Sequence, residues 1–310
     1  RKGFANQLMR AVLETDRGLG RAYSLLYPFQ HGFYRRLGYG SVGLMHWWRL
    51  PVAHMRDEPE RRCRVRELRE ADRAAVEALF DRALREMPEG GLERRPAQWQ
   101  LRWRQDEKWV VYDDGAVRGY MAYRAQPNTL EVRDLVAPDG EVERGLWSFV
   151  AAQIEQRTSA TWHAPLTKPL WATLREPYMF QGPEHGFIVN DVAGLTLSFM
   201  ARGVDWRAAL EGRAFPAAVR GAIAVHLDDA VFGPQVFSVE FADASASVLS
   251  IECEPDVRCD VSVFSQLCGG ALTASQARWY GLLQASDAAI ALLDEAFPFG
   301  PPYIAPFDWF

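Results

Sequence analysis

The chain has 310 residues, 48% hydrophobic, 12% aromatic and 24% charged, with a formal net charge of -5. At roughly 100 to 200 residues per domain, that length predicts two or three domains with ordinary cores and excludes disorder. The longest apolar stretches, such as 193–200, are far shorter than the ~18 to 20 residues a bilayer crossing needs, so no membrane span is expected.

The sequence opens on Arg1 and Lys2, already in helical periodicity, and reads as a fragment. Phe4, Leu8, Met9, Val12 and Leu13 recur at helical spacing and predict an amphipathic helix ending near Gly18 to Gly20. An apolar strand over 21–27 is stopped by Pro28, and a short helix around 33–37 is closed by Gly38. A strand is expected over 41–50, with Val42, Leu44, His46 and Trp48 on one face, and a charged linker over 56–62.

A second alternation begins at Cys63. Val65 and Leu68 mark a strand, and Val76, Leu79, Phe80, Ala83, Leu84 and Met87 form a helical stripe. Strands at 109–112 and 117–123 flank Asp113-Asp114-Gly115, a hairpin signal. A strand over 130–136 precedes a helix carrying Leu146, Trp147, Val150 and Ile154. Strands alternating with helices around a hairpin predict an α+β or mixed α/β domain through about Arg202.

After a helix at 206–210 the pattern changes to strands at 222–227, 235–241, 246–252 and 257–263. Helices at 273–280 and 285–297 and an aromatic, proline-rich tail ending at Phe310 complete the chain. The partition expected is 1–58, 59–202 and 203–310.

Charge is unevenly spread along this plan. Residues 1–58 carry nine basic against four acidic residues, whereas 203–310 carry five arginines against 14 acidic residues. A basic front suits a phosphate-bearing ligand and an acidic rear a cationic one. No interleaving of aromatic and basic residues points to nucleic acid. Cys63, Cys253, Cys259 and Cys268 form no CxxC pair and are expected to be reduced and mostly buried. With no signal peptide or glycosylation sequon, the address expected is cytoplasmic.

Gly38-Tyr39-Gly40-Ser41-Val42-Gly43 fits the GxGxxG dinucleotide pattern. It follows a helix and opens a strand, the reverse of what that motif requires, so it is rejected. The six histidines lack HxxxH or HxH spacing, and no metal site is expected. The eleven tryptophans read as core and subunit-contact residues.

The first forty residues are the most informative. Arg1-Lys2-Gly3-Phe4-Ala5 puts two cations, a glycine and free backbone N-H groups at a helix N-terminus, where dipole and donors converge on a pyrophosphate. With the strand Ser24-Leu25-Leu26-Tyr27-Pro28-Phe29 and the run Phe33-Tyr34-Arg35-Arg36-Leu37-Gly38-Tyr39-Gly40, this resembles the second half of a GNAT acetyltransferase domain. Tyr-Pro-Phe followed by Phe-Tyr-Arg-Arg-Leu-Gly-Tyr-Gly narrows the resemblance to the enhanced intracellular survival (Eis) family.

That resemblance implies tandem GNAT folds, the first lacking its leading strands, followed by a sterol carrier protein-like domain. It implies an acetyl-CoA-dependent N-acetyltransferase acting on a primary amine of a cationic small molecule or peptide, aminoglycoside-like or lysine-like, in a homo-oligomer, a hexamer by resemblance. It makes Tyr34 the general acid and the main-chain carboxylate of Phe310 the general base. Carried over by position, Arg1, Lys2, Gly3, Phe4, Ala5 and Asn6 hold the cofactor, with Phe29 and Gln30 after the strand. Arg1 then stands inside the cofactor site, and the functional reading attaches to the intact parent.

The corresponding turn of the second domain, Pro138-Asp139-Gly140-Glu141-Val142-Glu143-Arg144-Gly145, carries three carboxylates that would repel a pyrophosphate, so no coenzyme A is expected there. The alternative reading is a non-catalytic protein that holds an apolar ligand in its sterol carrier-like domain.

Overall fold

The computed structural model describes residues 3–87, 90–104, 106–179, 191–251 and 254–309, so Arg1, Lys2, Cys253 and Phe310 lie outside the described residues. The chain is mixed α/β and divides into two units. One is Arg1–Leu44 with Leu197–Pro302, and the other is Met45–Thr196 with Tyr303–Phe310.

In the first unit, helix α1 spans Phe4–Gly18 and buries Leu13 completely, with Met9 packed beside it. Phe4, Leu8 and Val12, placed on the apolar stripe by their spacing, stay exposed. Strand β1, Tyr23–Leu26, pairs antiparallel with Met200–Gly203, which also pairs with Gly40–Ser41. Helix α2, His31–Arg35, starts two residues earlier than the sequence indicates, because extended Gln30 precedes it.

The single strand expected over 41–50 is two strands. The amides of Val42 and Gly43 both donate to the Phe199 carbonyl, at 3.2 and 3.1 Å, which breaks the ladder there. Leu44–Pro51 then pairs with Ser159–Ala164 in a different sheet.

Residues 206–297 of the same unit form a five-stranded sheet ordered Ser245–Ser250, Gln235–Ala242, Gly221–Asp228, Val257–Asp260, Leu283–Ala285. The strand expected over 257–263 stops at Asp260. Its carboxylate accepts from the Ser262 amide at 2.8 Å and caps the helix Val261–Cys268. The helices packed on this sheet close over a cluster of rings. Trp206 and Phe264 lie 4.8 Å apart, Phe215 and Phe241 5.1 Å, and Phe264 and Phe297 6.1 Å, all edge to face.

The second unit holds a seven-stranded sheet in the order Val65–Glu67, Lys108–Asp113, Val117–Ala125, Thr129–Val136, Ser159–Ala164, Leu44–Pro51, Gly194–Leu197. The predicted hairpin is present, with the Gly115 amide donating to Asp113 Oδ1 at 3.0 Å. Period-2 alternation splits the strand residues between two cores. Val110, Tyr112 and Met121 pack against Val142, Leu146 and Val150 of the helix Gly140–Ala151. Val111, Tyr120 and Val136 pack against Val76 and Leu79 of the helix Arg73–Glu86. The stretch read as a linker contains the short helix Pro59–Arg62, held where the Glu58 amide donates to Ser148 Oγ at 2.7 Å.

Candidate active site

Gly3 enters α1 in the left-handed region, φ 71°, and its carbonyl accepts from the Asn6 and Gln7 amides at 3.0 and 3.2 Å. Because the helix begins at Phe4, the amides of Phe4 and Ala5 have no intrahelical carbonyl to reach among the described residues. No described atom lies within 4 Å of where a Cβ on Gly3 would stand. Open space, free donors and the positive end of the helix dipole coincide, the arrangement that binds a phosphate. Asn6 turns the other way along the helix, its Oδ1 accepting from Arg10 Nε at 3.0 Å.

Beyond β1 the chain passes through Pro28 and Phe29 to Gln30. The Gln30 carbonyl accepts from the Phe33 amide at 3.1 Å, fixing the first turn of α2. The Tyr34 ring stands edge-on to Phe33 at 5.0 Å, Phe29 at 5.3 Å and Tyr39 at 6.0 Å. Only 9% of Tyr34 is exposed, and it shares a core with Leu13 of α1, Leu37, Tyr39, Met200 and Val204. Phe29 is 76% exposed, so it covers Tyr34 on the solvent side. The Tyr34 carbonyl accepts from the Leu37 and Tyr39 amides, so ring and backbone are both held. Burial raises the pKa of Tyr39, whose hydroxyl pairs with Ser24 Oγ at 2.9 Å.

The structure therefore brings Tyr34 and Phe29 into contact and packs Tyr34 into a core with Leu13 of α1, the helix whose N-terminus carries Gly3, Phe4, Ala5 and Asn6. Arg1, Lys2 and Phe310 fall outside the described residues.

Sequence reasoning missed the support behind this group. Arg202 is fully buried, donates to the Leu37 carbonyl and meets Asp229 Oδ2 at 2.6 Å. The Asp229 carboxylate also accepts from the Val231 and Phe232 amides and from Gln235 Nε2. The run resembling a dinucleotide motif owes its first glycines to this packing. Gly38 sits at φ 83°, where a Cβ would stand 1.9 Å from Arg202 Nη1, and one on Gly40 would stand 2.3 Å from the Ser262 carbonyl.

The corresponding helix of the second unit, Gly140–Ala151, begins differently. Asp139 caps it, accepting from the Val142 amide at 3.0 Å, and pairs with Arg118 at 2.6 Å. Glu141 and Glu143 occupy its first turn, where they meet Arg64 at 3.1 Å and Lys168 at 2.8 Å. A protein carboxylate fills the place an anion would take.

The tail is anchored within the second unit. Tyr303 donates through its hydroxyl to the His163 carbonyl at 2.6 Å, and Phe307 is buried against Trp109 at 5.3 Å. Asp308 pairs with Arg94. Among the described residues no group of three or more His, Cys, Asp or Glu could hold a metal ion, and no helix is long and apolar enough to cross a membrane.

Family models described as acetyltransferase (GNAT) domain match residues 1–42 and 90–191, and one described as sterol carrier protein domain matches 206–305. Among solved structures, a GCN5-related N-acetyltransferase from Anabaena variabilis superposes with a TM-score of 0.82 at 21% identity, covering 100% of this chain and 78% of that one. One from Kribbella flavida gives 0.81 at 24% identity, covering 100% and 76%. Eis1 from Mycobacterium abscessus gives 0.73 at 22% identity, covering 99% and 78%. No match was found among curated proteins.

The chain thus carries two segments that match acetyltransferase (GNAT) domain models, followed by one that matches a sterol carrier protein domain. Its fold is similar to that of Eis1 over nearly the whole chain.

Proposed function

We propose that the protein is an acetyl-CoA-dependent N-acetyltransferase acting on a primary amine of a cationic acceptor, aminoglycoside-like or lysine-like. The observation that carries this reading is the uncapped N-terminus of α1 behind left-handed Gly3, on a helix whose Leu13 shares a core with Tyr34, a tyrosine contacted by three aromatic rings. The amides of Gly3, Phe4 and Ala5, with Arg1 and Lys2, bind the pyrophosphate of acetyl-CoA, whose bound thioester supplies the acetyl group. The backbone at Phe29 and Gln30 flanks the pantetheine arm.

The amine nitrogen bonds to the acetyl carbon as the carbon-sulfur bond breaks. The Tyr34 hydroxyl gives its proton to the departing thiolate and recovers one from water. The main-chain carboxylate of Phe310 takes the proton the amine loses, a suitable role for a group ionised at neutral pH. Holding amine and thioester together supplies most of the rate enhancement. The acidic composition of 203–310 favours a cationic acceptor over an anionic one.

The partition into a catalytic first segment, a second GNAT-like segment that binds no coenzyme A, and a sterol carrier-like third is part of this reading. So are a cytoplasmic address and a homo-oligomer, in the Eis-like case a hexamer. The packed rings of Trp206, Phe215, Phe264 and Phe297 weigh against an apolar ligand inside the third segment.

The test is thiol release from acetyl-CoA across a panel of amines. Tyr34→Phe should lower kcat by about 100-fold while leaving the KM for acetyl-CoA nearly unchanged. Unaltered kcat would remove Tyr34 from the mechanism. Extending the chain by one residue past Phe310 should abolish turnover, and full activity in that chain would remove the carboxylate.

A further inference from the structure

The helix Arg73–Glu86, the end of the strand Thr129–Val136 and the segment 303–308 line a small cavity that lies wholly within the second unit. Phe80, Ala83 and Met87 line it from the helix and its end, Val136 from the strand and Ile304 from the later segment, so the walls are mostly apolar. That segment is tied down, with the Tyr303 amide donating to the Gly90 carbonyl at 3.1 Å and the Tyr303 hydroxyl to the His163 carbonyl at 2.6 Å.

Three of the lining side chains are polar, and two of them are fully engaged. Tyr303 has spent its hydroxyl proton on His163. Both oxygens of Asp308 accept from Arg94, Oδ1 from Nε at 2.8 Å and Oδ2 from Nη2 at 2.5 Å. Asp134 is 3% exposed, and its Oδ2 accepts from Arg94 Nη1 at 2.7 Å and from the Tyr120 hydroxyl at 2.8 Å. Its Oδ1 has no donor among the described residues. A buried carboxylate oxygen without a donor costs free energy that folded proteins seldom leave uncompensated, so this one calls for a donor from a bound molecule.

Charge decides what kind of molecule. Asp134 and Asp308 stand against two guanidiniums, that of Arg94 and that of Arg102, whose Nη2 lies 3.5 Å from Asp308 Oδ1. These charges balance, so a cation brought into the cavity would give up its water with no counter-charge left to meet it. The hydrogen-bond count agrees. An ammonium carries three donors where the lining side chains leave one acceptor oxygen open, whereas a hydroxyl carries one.

Volume sets the size. The cavity measures about 40 Å³, and one water needs about 10 to 15 Å³, so a molecule of roughly three or four heavy atoms fits.

We propose that this cavity is a binding site for a short, uncharged aliphatic alcohol, whose O–H donates to Asp134 Oδ1 while its carbon atoms lie against Phe80, Met87, Val136 and Ile304. Arg94 and Tyr120 hold the other oxygen of Asp134 and so fix the acceptor before the ligand arrives. Acetyl transfer plays no part in this site.

The test uses the full chain with ¹³C-labelled methionine methyl groups and follows the Met87 signal, identified by its loss in Met87→Leu. 2-Propanol should shift that signal saturably, with half-saturation at about 1 to 30 mM, the range open to so small a ligand. Acetone has the same size without a donor, and isopropylammonium adds a charge and further donors. Each should need at least about tenfold more to reach the same shift. Ala83→Leu, which puts an isopropyl group into the cavity, should abolish saturation. Leu92→Trp fills the cavity from the loop and serves if the helix variant does not fold, as circular dichroism will report.

Shifts that rise linearly for all three probes, or saturation that persists in a folded Ala83→Leu or Leu92→Trp protein, overturn the site. Acetone binding as well as 2-propanol overturns the role of Asp134 Oδ1, and tighter binding of isopropylammonium overturns the uncharged class of ligand.

Discussion

Arg202 and Asp229 meet at 2.6 Å with neither side chain exposed to solvent, and the same guanidinium donates to the Leu37 carbonyl three residues beyond Tyr34. The pair thus links the strand Met200–Gly203 to the turn that ends α2. Removing one member leaves a buried charge without its counterpart, so Arg202→Met should cost about 3 to 5 kcal/mol in urea unfolding. Asp229 keeps its two amide donors, and converting it to Asn in the same chain should return at least about 1 kcal/mol. Simple additivity of the two changes would mean the charges do not interact. Because the Leu37 carbonyl is freed as well, kcat should fall in Arg202→Met under conditions where it remains folded.

Gly38 and Gly20 separate two costs of adding a methyl group. Both have positive φ, 83° and 65°, but nothing lies within 4 Å of a Cβ on Gly20, whereas Arg202 Nη1 and the Val261 side chain crowd one on Gly38. Gly20→Ala should cost about 1 to 2 kcal/mol from backbone conformation alone. Gly38→Ala adds the displacement of Arg202 and should cost about 3 kcal/mol or more. Equal losses in thermal unfolding would show that the packing against Arg202 is not tight.

The elements legible in the sequence are those whose signal is local. The stripe from Val76 to Leu84, the Asp113-Asp114-Gly115 turn and the glycine behind α1 each declare themselves within a few residues, and each forms as read. The elements missed take their identity from partners far along the chain. Ser159–Ala164 is a strand because Leu44–Pro51 and Thr129–Val136 flank it, and Met200–Gly203 because β1 and Gly40–Ser41 do.

The continuous strand expected over 41–50 fails for the same reason. Its apolar alternation persists across Val42 and Gly43, but Phe199 captures both amides. Of the residues proposed for the candidate site, Tyr34 and Gly3 are suggested by motif and periodicity. Arg202, Asp229, Arg94 and Asp308 are not, since nothing beside them in sequence distinguishes them from the other arginines and aspartates.

Asp139 gives a pH-dependent prediction at the helix where no coenzyme A is expected. The Val142 amide, with help from Arg118, holds its carboxyl below the ordinary carboxylate range. A carboxyl with a lowered folded pKa stabilises fully above its unfolded value, about 3.9, and loses that contribution as pH falls through the folded value. Asp139→Ala should therefore cost about 1 kcal/mol at neutral pH, a typical value for an N-cap. The gap from the unaltered protein should stay level down to about pH 5 and close below pH 4. A gap that widens on acidification would contradict the assignment. Titration calorimetry of the unaltered protein should find one acetyl-CoA per chain, and a second equivalent would place cofactor at this capped helix after all.

The cysteines offer a test of the packing around β1. Cys268 is buried beside Tyr23, and burial, only partly offset by Arg213, pushes its thiol up to about 12. Burial raises Cys259 further in the same direction. The thiolate is the reacting species, so neither should be alkylated in the native protein at pH 8. Cys63 is exposed, with its thiol donating to the Glu60 carbonyl at 3.3 Å. It should react with a maleimide within minutes, and Cys63→Ser should remove that label. Peptide mapping by mass spectrometry distinguishes the sites. Native labelling of Cys268 would mean that β1 and the helix Val261–Cys268 separate readily, and the framework that holds Tyr34 through Met200 and Leu37 would then be too loose to orient a catalytic hydroxyl.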